Sequence, residues 1–195
     1  LKRPLSQEEY ETKVKPFGLN RAIQSASPPG STFKIITSAA GLAEGAISPN
    51  TWMYCSGGMQ VGKRYFKCHS SHGDVNLRDA LAASCDVFYY HVALDVKAER
   101  VAAWAEKYGL GSKTGIDLPG EKGGNIPTPE KHALLAAKLG NPDTRWYPGQ
   151  TANMSIGQGE VQTTPLQMAL AVGAVANGGT VWEPVSYTHL RAHET

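Results

Sequence analysis

The sequence predicts an α+β protein in which helices dominate, and three features of the chain support this. Apolar residues recur at helical intervals in several segments, most clearly over residues 101–108. Strand-like patterns are confined to residues 51–72, a stretch rich in glycine and aromatic residues. The segment after Thr164-Pro165 is apolar on nearly all sides, so it needs cover that little of this chain could supply. We therefore expect a mostly helical chain whose last helix lacks most of the cover that it needs.

Length and composition limit the classes of protein to consider. The chain has 195 residues, the length of one domain or of one large lobe of a bigger domain. Its 41% hydrophobic and 18% charged residues are typical of a soluble globular protein. The net charge of +2 gives no reason to expect a nucleic acid partner. No run of about 18 apolar residues occurs, so neither a membrane span nor a signal peptide is expected within these residues.

Turn and cap residues delimit the individual elements. Residues 51–72 predict a β-hairpin whose tight turn is at Gly57-Gly58. Helices are expected from Ser31 to about Leu42 after the Pro28-Pro29-Gly30 break, from an Asn76 cap to Ser84, and over residues 101–108 ending at Gly109. Long loops are expected over residues 111–150, with a solvated helix face at Lys131–Lys138. A last helix is expected from Thr164-Pro165 to Asn177-Gly178-Gly179.

Ser31 and Lys34 have the spacing of a serine nucleophile and its base. If a helix begins at Ser31, the two side chains share one face, with Cβ atoms about 5 to 6 Å apart. A neutral Lys34 could take the hydroxyl proton, and free N–H groups at the helix start would suit an oxyanion. The alternative is that Ser31 only caps the helix and that Lys34 is solvated. The pair alone does not decide between these interpretations.

Ser84-Cys85-Asp86 adds a second motif at the end of a predicted helix. With PPGSTFK it resembles the Ser-x-x-Lys and Ser-x-Asn motifs of the penicillin-recognising serine enzymes, with Asp86 in place of the asparagine. YCSGGMQVGKRYFKCHSSHGDVNLRDALAASCDVFYYHVA and TANMSIGQGEVQTTPLQMALAVGAVANGG resemble class B penicillin-binding proteins, specifically the elongation type, penicillin-binding protein 2. The resemblance covers about residues 17–185. It implies the α+β penicillin-recognising serine transpeptidase fold, here mostly its helical lobe without most of the five-stranded sheet.

The resemblance also implies a mechanism and a cellular setting. Ser31 would attack the D-Ala-D-Ala carbonyl of a peptidoglycan stem peptide, Lys34 would be the base for acylation, and Ser84 would relay a proton between Lys34 and the leaving nitrogen. Asp86 would hold Lys34 by a charge-assisted hydrogen bond, although a carboxylate favours the charged form of lysine. No cofactor is implied for catalysis. The implied partners are stem peptides, β-lactam antibiotics, and the glycosyltransferase and scaffold proteins of cell-wall elongation, at the periplasmic face of the inner membrane behind an upstream anchor helix.

Three stretches of the sequence are not expected to take part in catalysis or ligand binding. Lys113-Thr114-Gly115 spells the third motif of these enzymes, but it lies in a predicted loop without strand alternation, so we expect it to be non-catalytic. SIGQG, residues 155–159, lacks the lysine of a phosphate-binding loop and is expected to be a structural turn. The family pattern stops after Val185, so residues 1–185 are expected to be a partial transpeptidase domain and residues 186–195 an artefactual, non-family tail.

Three functions from different classes remain open at this point. The first is a transpeptidase lobe. The second is a β-lactamase, because Glu121-Lys122-Gly123-Gly124-Asn125 nearly matches the Glu-x-x-Leu-Asn loop with which class A enzymes activate water. The third is a non-catalytic module that binds β-lactams or cell-wall partners, because most of the sheet is missing.

The cysteines Cys55, Cys68 and Cys85 allow two bonded arrangements, besides one in which they form no bond. In the first, Cys55 and Cys68 form a disulfide and Cys85 is a small buried residue, as an oxidising compartment would favour. In the second, the hairpin folds over the second motif, and the three thiolates with His72 form a closed tetrahedral site for a structural zinc ion. His69 is an alternative fourth ligand, but its position next to Cys68 makes His72 geometrically easier.

Overall fold

The computed structural model of the chain describes residue 8 and residues 18–186. Its α-helices are α1 (Arg21–Gln24), α2 (Lys34–Ala43), α3 (Leu77–Ala82), α4 (Asp86–Val96), α5 (Ala98–Lys107), α6 (Pro129–Lys138), α7 (Pro148–Ser155) and α8 (Pro165–Ala176). Its strands are β1 (Met53–Cys55), β2 (Gly58–Val61), β3 (Arg64–Lys67) and β4 (Gly73–Val75). A 3-10 turn, Gly30–Phe33, leads directly into α2. The tail predicted for residues 186–195 lies outside the described residues, apart from Ser186.

The predicted α+β class with a dominant helical lobe is confirmed. Within the described ranges, the only sheets are two pairs of antiparallel strands. The predicted helix caps are also present: Asn76 Oδ1 accepts a hydrogen bond from the backbone N–H of Asp79 at 2.9 Å. At the start of α8, Thr164 Oγ1 accepts from Gln167 N at 3.2 Å, and Gln167 Oε1 accepts from Thr164 N at 2.8 Å. These reciprocal bonds satisfy N–H groups that a helix start leaves free.

The hairpin turn predicted at Gly57-Gly58 is wrong. The turn joins β2 to β3 at Gly62-Lys63, and Gly62 has φ +59°. Gly57-Gly58 instead links β1 to β2, while β1 pairs with the more distant β4 through the register Cys55↔Gly73. Both glycine sites permit a turn, and the choice depends on which strands can pair. The β2–β3 hairpin is therefore enclosed by the outer β1–β4 pair, which brings Cys55 close to residues 68–73.

Helix α4 lies at the centre of the core. Its residues Phe88 and Tyr89 are fully buried, and the helix packs against α2, α5 and α7. The rings of Phe66 on β3 and Tyr90 pack edge to face, with their centroids 5.6 Å apart. Because α4 begins at Asp86, this packing fixes the second predicted motif against α2, which begins at Lys34.

One face of α8 is exposed, although its composition predicts cover on all sides. Val172 and Val175 are 41% and 49% exposed, and Leu42 and Leu81 are 40% and 42% exposed. A groove of about 520 Å³ runs between these elements and includes Trp104. An apolar surface of this kind agrees with the expectation that a covering sheet is missing.

Candidate active site

Ser31 lies in the 3-10 turn immediately before α2. Gly30 has φ +60°, a conformation that glycine adopts without strain, and its N–H donates to Gly157 O at 3.0 Å. Thr32 Oγ1 donates to Pro29 O at 2.8 Å, which closes the turn. The helix predicted from Ser31 therefore begins as a 3-10 turn and becomes α-helical at Lys34.

Lys34 is buried, with 1% of its surface exposed. Its Nζ donates to Ser84 Oγ at 2.8 Å, to Ser84 O at 2.7 Å and to Asp86 Oδ1 at 2.6 Å. An ammonium group has three N–H donors, and here each has an acceptor. The interpretation in which Lys34 is solvated is therefore wrong, and the two predicted motifs meet at this side chain.

Ser84 connects Lys34 to Ser31. Its hydroxyl accepts from Lys34 Nζ and donates to Ser31 Oγ at 3.0 Å. Ser84 has φ +52°, which costs a residue with a side chain about 1 kcal/mol. This conformation ends α3 before Ser84 and turns the hydroxyl towards Ser31, in the space between α3 and α4. The result is a continuous hydrogen-bonded chain from Lys34 to the Ser31 hydroxyl.

Asp86 is the first residue of α4, where a carboxylate also interacts favourably with the helix dipole. Its side chain is 19% exposed and pairs with Lys34. Its backbone N–H donates to Cys68 Sγ at 3.2 Å. Asp86 thus contacts both the candidate base and the strand-rich segment that carries two of the three cysteines.

Tyr89 is a neighbour of Lys34 that sequence reasoning did not single out. Lys34 Nζ lies 5.4 Å from the centre of the Tyr89 ring, within the range of a cation–π interaction. The Tyr89 hydroxyl is 3.0 Å from Ser38 Oγ, and burial raises the pKa of Tyr89 to about 12. Its hydroxyl is therefore neutral at physiological pH. The available signal was its position one turn after Asp86 on the same helix.

The segment 155–159 supports the Ser31 turn. Thr37 Oγ1 donates to Ser155 O at 2.8 Å, and Gly157 O accepts from Gly30 N. Gly157 has φ +65°, and a Cβ there would lie 2.7 Å from Phe33 Cβ as well as against Gly30 O. The segment therefore acts as a tight structural turn that packs against the turn carrying Ser31.

The thiols Cys55, Cys68 and Cys85 and the imidazole of His72 form a compact cluster beside Asp86. Both Cys55 Sγ and Cys68 Sγ lie 3.6 Å from His72 Nδ1, and all four ligand atoms lie within 4.8 Å of one another. Zinc bonds of about 2.3 Å to sulfur and 2.0–2.1 Å to nitrogen at tetrahedral angles place sulfur and nitrogen about 3.6 Å apart. The donor set and its spacing therefore fit a structural zinc ion.

Of the alternatives weighed for this cluster, the disulfide is not formed and His69 is less well placed than His72. All three cysteines are free, so the structure contains no Cys55–Cys68 disulfide. His69 is exposed, and its Nδ1 lies 4.0 Å from Cys68 Sγ, farther than His72. His72 is thus the better placed imidazole.

The pKa values of two of the thiols are shifted in opposite directions from the ordinary value. Burial raises the pKa of Cys85 to about 12, and the neighbouring thiols add to the increase. Burial also acts to raise the pKa of Cys68, but hydrogen bonds from the backbone, including the N–H of Asp86, outweigh it and lower that pKa. Thiolates held this close repel one another, and a bound cation is the group that would offset the repulsion.

Lys113-Thr114-Gly115 lies in a loop organised by Glu121. The Glu121 carboxylate accepts from Thr114 N and Thr114 Oγ1, both at 2.6 Å, and from Gly115 N at 3.3 Å. Although burial opposes the change, these bonds lower the pKa of Glu121. This Lys-Thr-Gly sequence is therefore held in a loop and not on a strand. Its bonds go to Glu121 and not to Ser31.

The fold and the geometry around Ser31 define the class of protein. The chain belongs to the penicillin-binding protein transpeptidase domain family, whose family model matches residues 5–194. It is similar to the peptidoglycan D,D-transpeptidase MrdA of Escherichia coli K12, with 38% identity over 170 residues that cover 85% of this chain and 26% of the relative. MrdA of Acinetobacter baumannii is 36% identical over 167 residues, which cover 83% and 24%. The chain thus spans about a quarter of the length of these relatives.

Solved structures show the same likeness. Pseudomonas aeruginosa PBP2 in complex with WCK 5153 matches with a TM-score of 0.78 and 31% identity, over 86% of this chain and 38% of that one. The complex of PBP2 and MreC from Helicobacter pylori matches with a TM-score of 0.78 and 31% identity, over 93% and 34%. The resemblance to penicillin-binding protein 2 that the sequence predicts is confirmed.

Proposed function

We propose that this chain is part of a longer peptidoglycan D,D-transpeptidase, here termed the parent protein, and that residues 1–185 belong to its transpeptidase domain. The observation that carries the proposal is the hydrogen-bonded chain from Lys34 through Ser84 to Ser31. It combines a nucleophile, a proton relay and a buried basic group in one place. The names of the relatives agree with this chemistry.

In the first step, Ser31 Oγ attacks the carbonyl carbon between the two D-alanines of a stem peptide. Neutral Lys34 takes up the proton through the Ser84 hydroxyl, which both side chains contact. Ser84 Oγ gives its own proton to Lys34 Nζ and accepts the proton of Ser31, which reverses the direction of the two hydrogen bonds. An ester bond to Ser31 forms, and the peptide C–N bond breaks. The same relay returns the proton to the leaving nitrogen, so that the products are the acyl-enzyme and free D-alanine.

In the second step, an amine of a neighbouring stem peptide attacks the ester carbonyl. The amine gives one proton to the relay as the new amide bond forms. The C–O bond to Ser31 breaks, and Ser31 Oγ regains a proton from the relay. The cross-link is complete, all atoms balance, and the reaction requires no cofactor.

Asp86 and Tyr89 position the base rather than react. Asp86 receives the ammonium form of Lys34 between the two proton transfers through its contact at 2.6 Å. Tyr89 presents its ring to the same ammonium, while Ser38 fixes its hydroxyl. Each side chain limits the movement of Lys34 and keeps Nζ within reach of Ser84.

Transpeptidation is favoured over hydrolysis because the candidate water-activating group is used elsewhere. A β-lactamase needs a base that directs water to the acyl-enzyme, and Glu121 is the residue that the sequence offers. Its carboxylate is bound to Thr114 and Gly115 within its own loop. Asn125, at the other end of that near match, donates to Glu160 O at 2.8 Å.

A structural zinc ion at Cys55, Cys68, His72 and Cys85 completes the proposal. Zinc would supply the positive charge that keeps the three thiols ionised. The four residues come from β1, the segment after β3 and the start of α4, so their ligation ties the hairpin to the junction that presents Ser84. The bond from Asp86 N to Cys68 Sγ transmits this restraint directly to the partner of Lys34.

The setting proposed for the parent protein is the periplasmic face of the inner membrane, behind an anchor helix. Among the described residues, no helix is long and apolar enough to span a membrane. A solved Helicobacter pylori complex pairs PBP2 with MreC, and another similar structure is described as a peptidoglycan synthase complex that coordinates polymerization and crosslinking. We propose a scaffold protein and a glycosyltransferase as corresponding partners, and β-lactams as inhibitors that acylate Ser31.

Labelled penicillin added to the parent protein separates the candidate functions over time. A stable label supports the transpeptidase. A label that appears and is quickly released supports a hydrolase. No label on the intact parent protein, under conditions where the protein melts cooperatively, supports a non-catalytic module.

A further inference from the structure

A cleft of about 830 Å³ lies between the turn of the β2–β3 hairpin and the segment that leads into α7. Its walls are formed by residues 61–66 on one side and residues 141–153 on the other, with His132 of α6 between them. It shares no lining residue with the Ser31 site or with the thiol cluster. Its volume is in the range of sites that hold small ligands or segments of larger ones.

The charges in this cleft are predominantly positive. Lys63, Arg64 and Arg145 line it together with one carboxylate, Asp143. That carboxylate is already bound, because Arg145 Nε lies 2.9 Å from Asp143 Oδ1 and Tyr147 donates to Asp143 Oδ2 at 2.8 Å. These contacts hold the pKa of Asp143 below its usual range. In the described part of the chain, no carboxylate pairs with Lys63 or Arg64, so two cations at the hairpin are available to an anionic ligand.

The remaining walls offer aromatic surfaces and neutral hydrogen-bonding groups. The Arg64 guanidinium lies 5.2 Å from the centre of the Phe66 ring, which orients it along one wall. Asn153 of α7 lines the opposite side with an amide group that can both donate and accept, whereas the neighbouring Gln150 amide already accepts from Tyr147 N at 2.7 Å. Cations beside amides and aromatic faces suit a ligand that carries carboxylates together with amide and hydroxyl groups.

The base of the cleft is joined to the element that supports Ser31. His132 Nδ1 lies 2.6 Å from Glu160 Oε1. Glu160 directly follows the 155–159 segment, in which Gly157 contacts Gly30 next to the nucleophile. The cleft is therefore connected, through His132 and Glu160, to the segment that supports the serine turn.

We propose that this cleft binds a carboxylate-bearing segment of a peptidoglycan strand, outside the site where Ser31 reacts. The proposal rests on the proposed function, since it assigns a second contact for the same substrate class. Stem peptides carry free carboxylates and amides, and the sugars to which they are attached carry hydroxyl and amide groups. Lys63 and Arg64 bind the carboxylates, while Asn153 binds the amide and hydroxyl groups.

The test uses the parent protein and soluble, uncross-linked disaccharide-pentapeptide, titrated by calorimetry. Labelling of Ser31 by penicillin is recorded first, and binding is then measured with labelled and unlabelled protein. The same ligand with its carboxylates converted to amides is titrated in parallel. The variant K63Q/R64Q removes two charges from the cleft, and the control K113Q/K122Q removes two charges from an exposed loop outside it.

We expect saturable binding that persists after Ser31 is labelled. Binding should weaken at least tenfold for the amidated ligand and for K63Q/R64Q, and should not change for K113Q/K122Q. The proposal is overturned if binding disappears with labelling, if K63Q/R64Q binds normally, or if both double variants weaken equally. Absence of any Ser31 label contradicts the proposed function instead, and the unlabelled titration with K63Q/R64Q still decides the role of the cleft.

Discussion

Lys34 Nζ lies 2.6 Å from Asp86 Oδ1, and this contact joins the two segments that carry the predicted motifs. Lys34 is the first residue of α2 and Asp86 is the first residue of α4. Because Lys34 is 1% exposed, its ammonium depends on protein acceptors instead of water. The candidate site is therefore built on the starts of two packed helices, which is a more rigid support than loops provide.

Asp86→Ala should weaken both the fold and the reaction. It leaves the buried Lys34 with one acceptor fewer, which we expect to lower the free energy of unfolding by about 2 kcal/mol. We expect penicillin to acylate Ser31 about 100-fold more slowly, because Lys34 is no longer held against Ser84. Asp86→Asn is the matched control, since an amide oxygen can still accept from Lys34. Stopped-flow acylation with the parent protein would refute the positioning role if both variants reacted at the normal rate.

Ser84 allows catalysis and stability to be separated. Ser84→Gly removes the hydroxyl but relieves the strain at φ +52°, whereas Ser84→Ala removes the hydroxyl and keeps the strain. We expect acylation to fall by a factor of about 100 or more in both variants. Both also leave Lys34 with one acceptor fewer, so both should melt at a lower temperature, and Ser84→Gly should lose less stability than Ser84→Ala because it relieves the strain. Normal acylation in Ser84→Gly would show that no relay through this hydroxyl is needed.

The thiol cluster predicts one zinc ion in each parent molecule. His72→Ala and Cys55→Ser should each reduce bound zinc, measured by elemental analysis, and lower the melting temperature by several degrees. His69→Ala is the control, because His69 is exposed and farther from the cluster. A metal-free protein whose melting is indifferent to a chelator would rule out the zinc site.

Gly157→Ala should displace the turn that carries Ser31. A Cβ at this position meets Phe33 and Gly30, and φ +65° disfavours alanine. We expect slower acylation together with a loss of stability of about 1 kcal/mol or more. Gly173→Ala is the control, because a Cβ on this α8 residue meets nothing within 4 Å. If Gly157→Ala acylates at the rate of Gly173→Ala, the 155–159 segment does not position Ser31.

Local signals predict the helices and the members of the candidate site well. Caps such as Asn76 and Thr164 act within one turn, so the sequence contains the whole interaction. The convergence of Ser31 with Ser84-Cys85-Asp86 follows from the resemblance, since nothing local to either motif shows that they meet. In the structure, the hydrogen bonds from Lys34 to Ser84 and Asp86 hold the two segments together.

Features that depend on long-range pairing are not predictable in the same way. The hairpin turn is at Gly62 and not at Gly57-Gly58, because strand pairing selects between two turn-compatible sites. Glu121 resembles part of a catalytic loop, and only its contacts show that it organises Thr114. The bond between His132 and Glu160 spans 28 residues and has no sequence motif. These residues obtain their roles from neighbours that are distant in the chain.

The role of Ser31 as the nucleophile is tested most directly by locating the acyl group on the parent protein by peptide mass mapping after reaction with penicillin. If Ser31 is the nucleophile, one stable adduct forms, on the peptide that contains Ser31. Ser31→Ala should carry no adduct and should melt close to the normal temperature, because Ser31 is exposed. An adduct on another residue, or an equal adduct on Ser31→Ala, would contradict the assignment of Ser31 as the nucleophile.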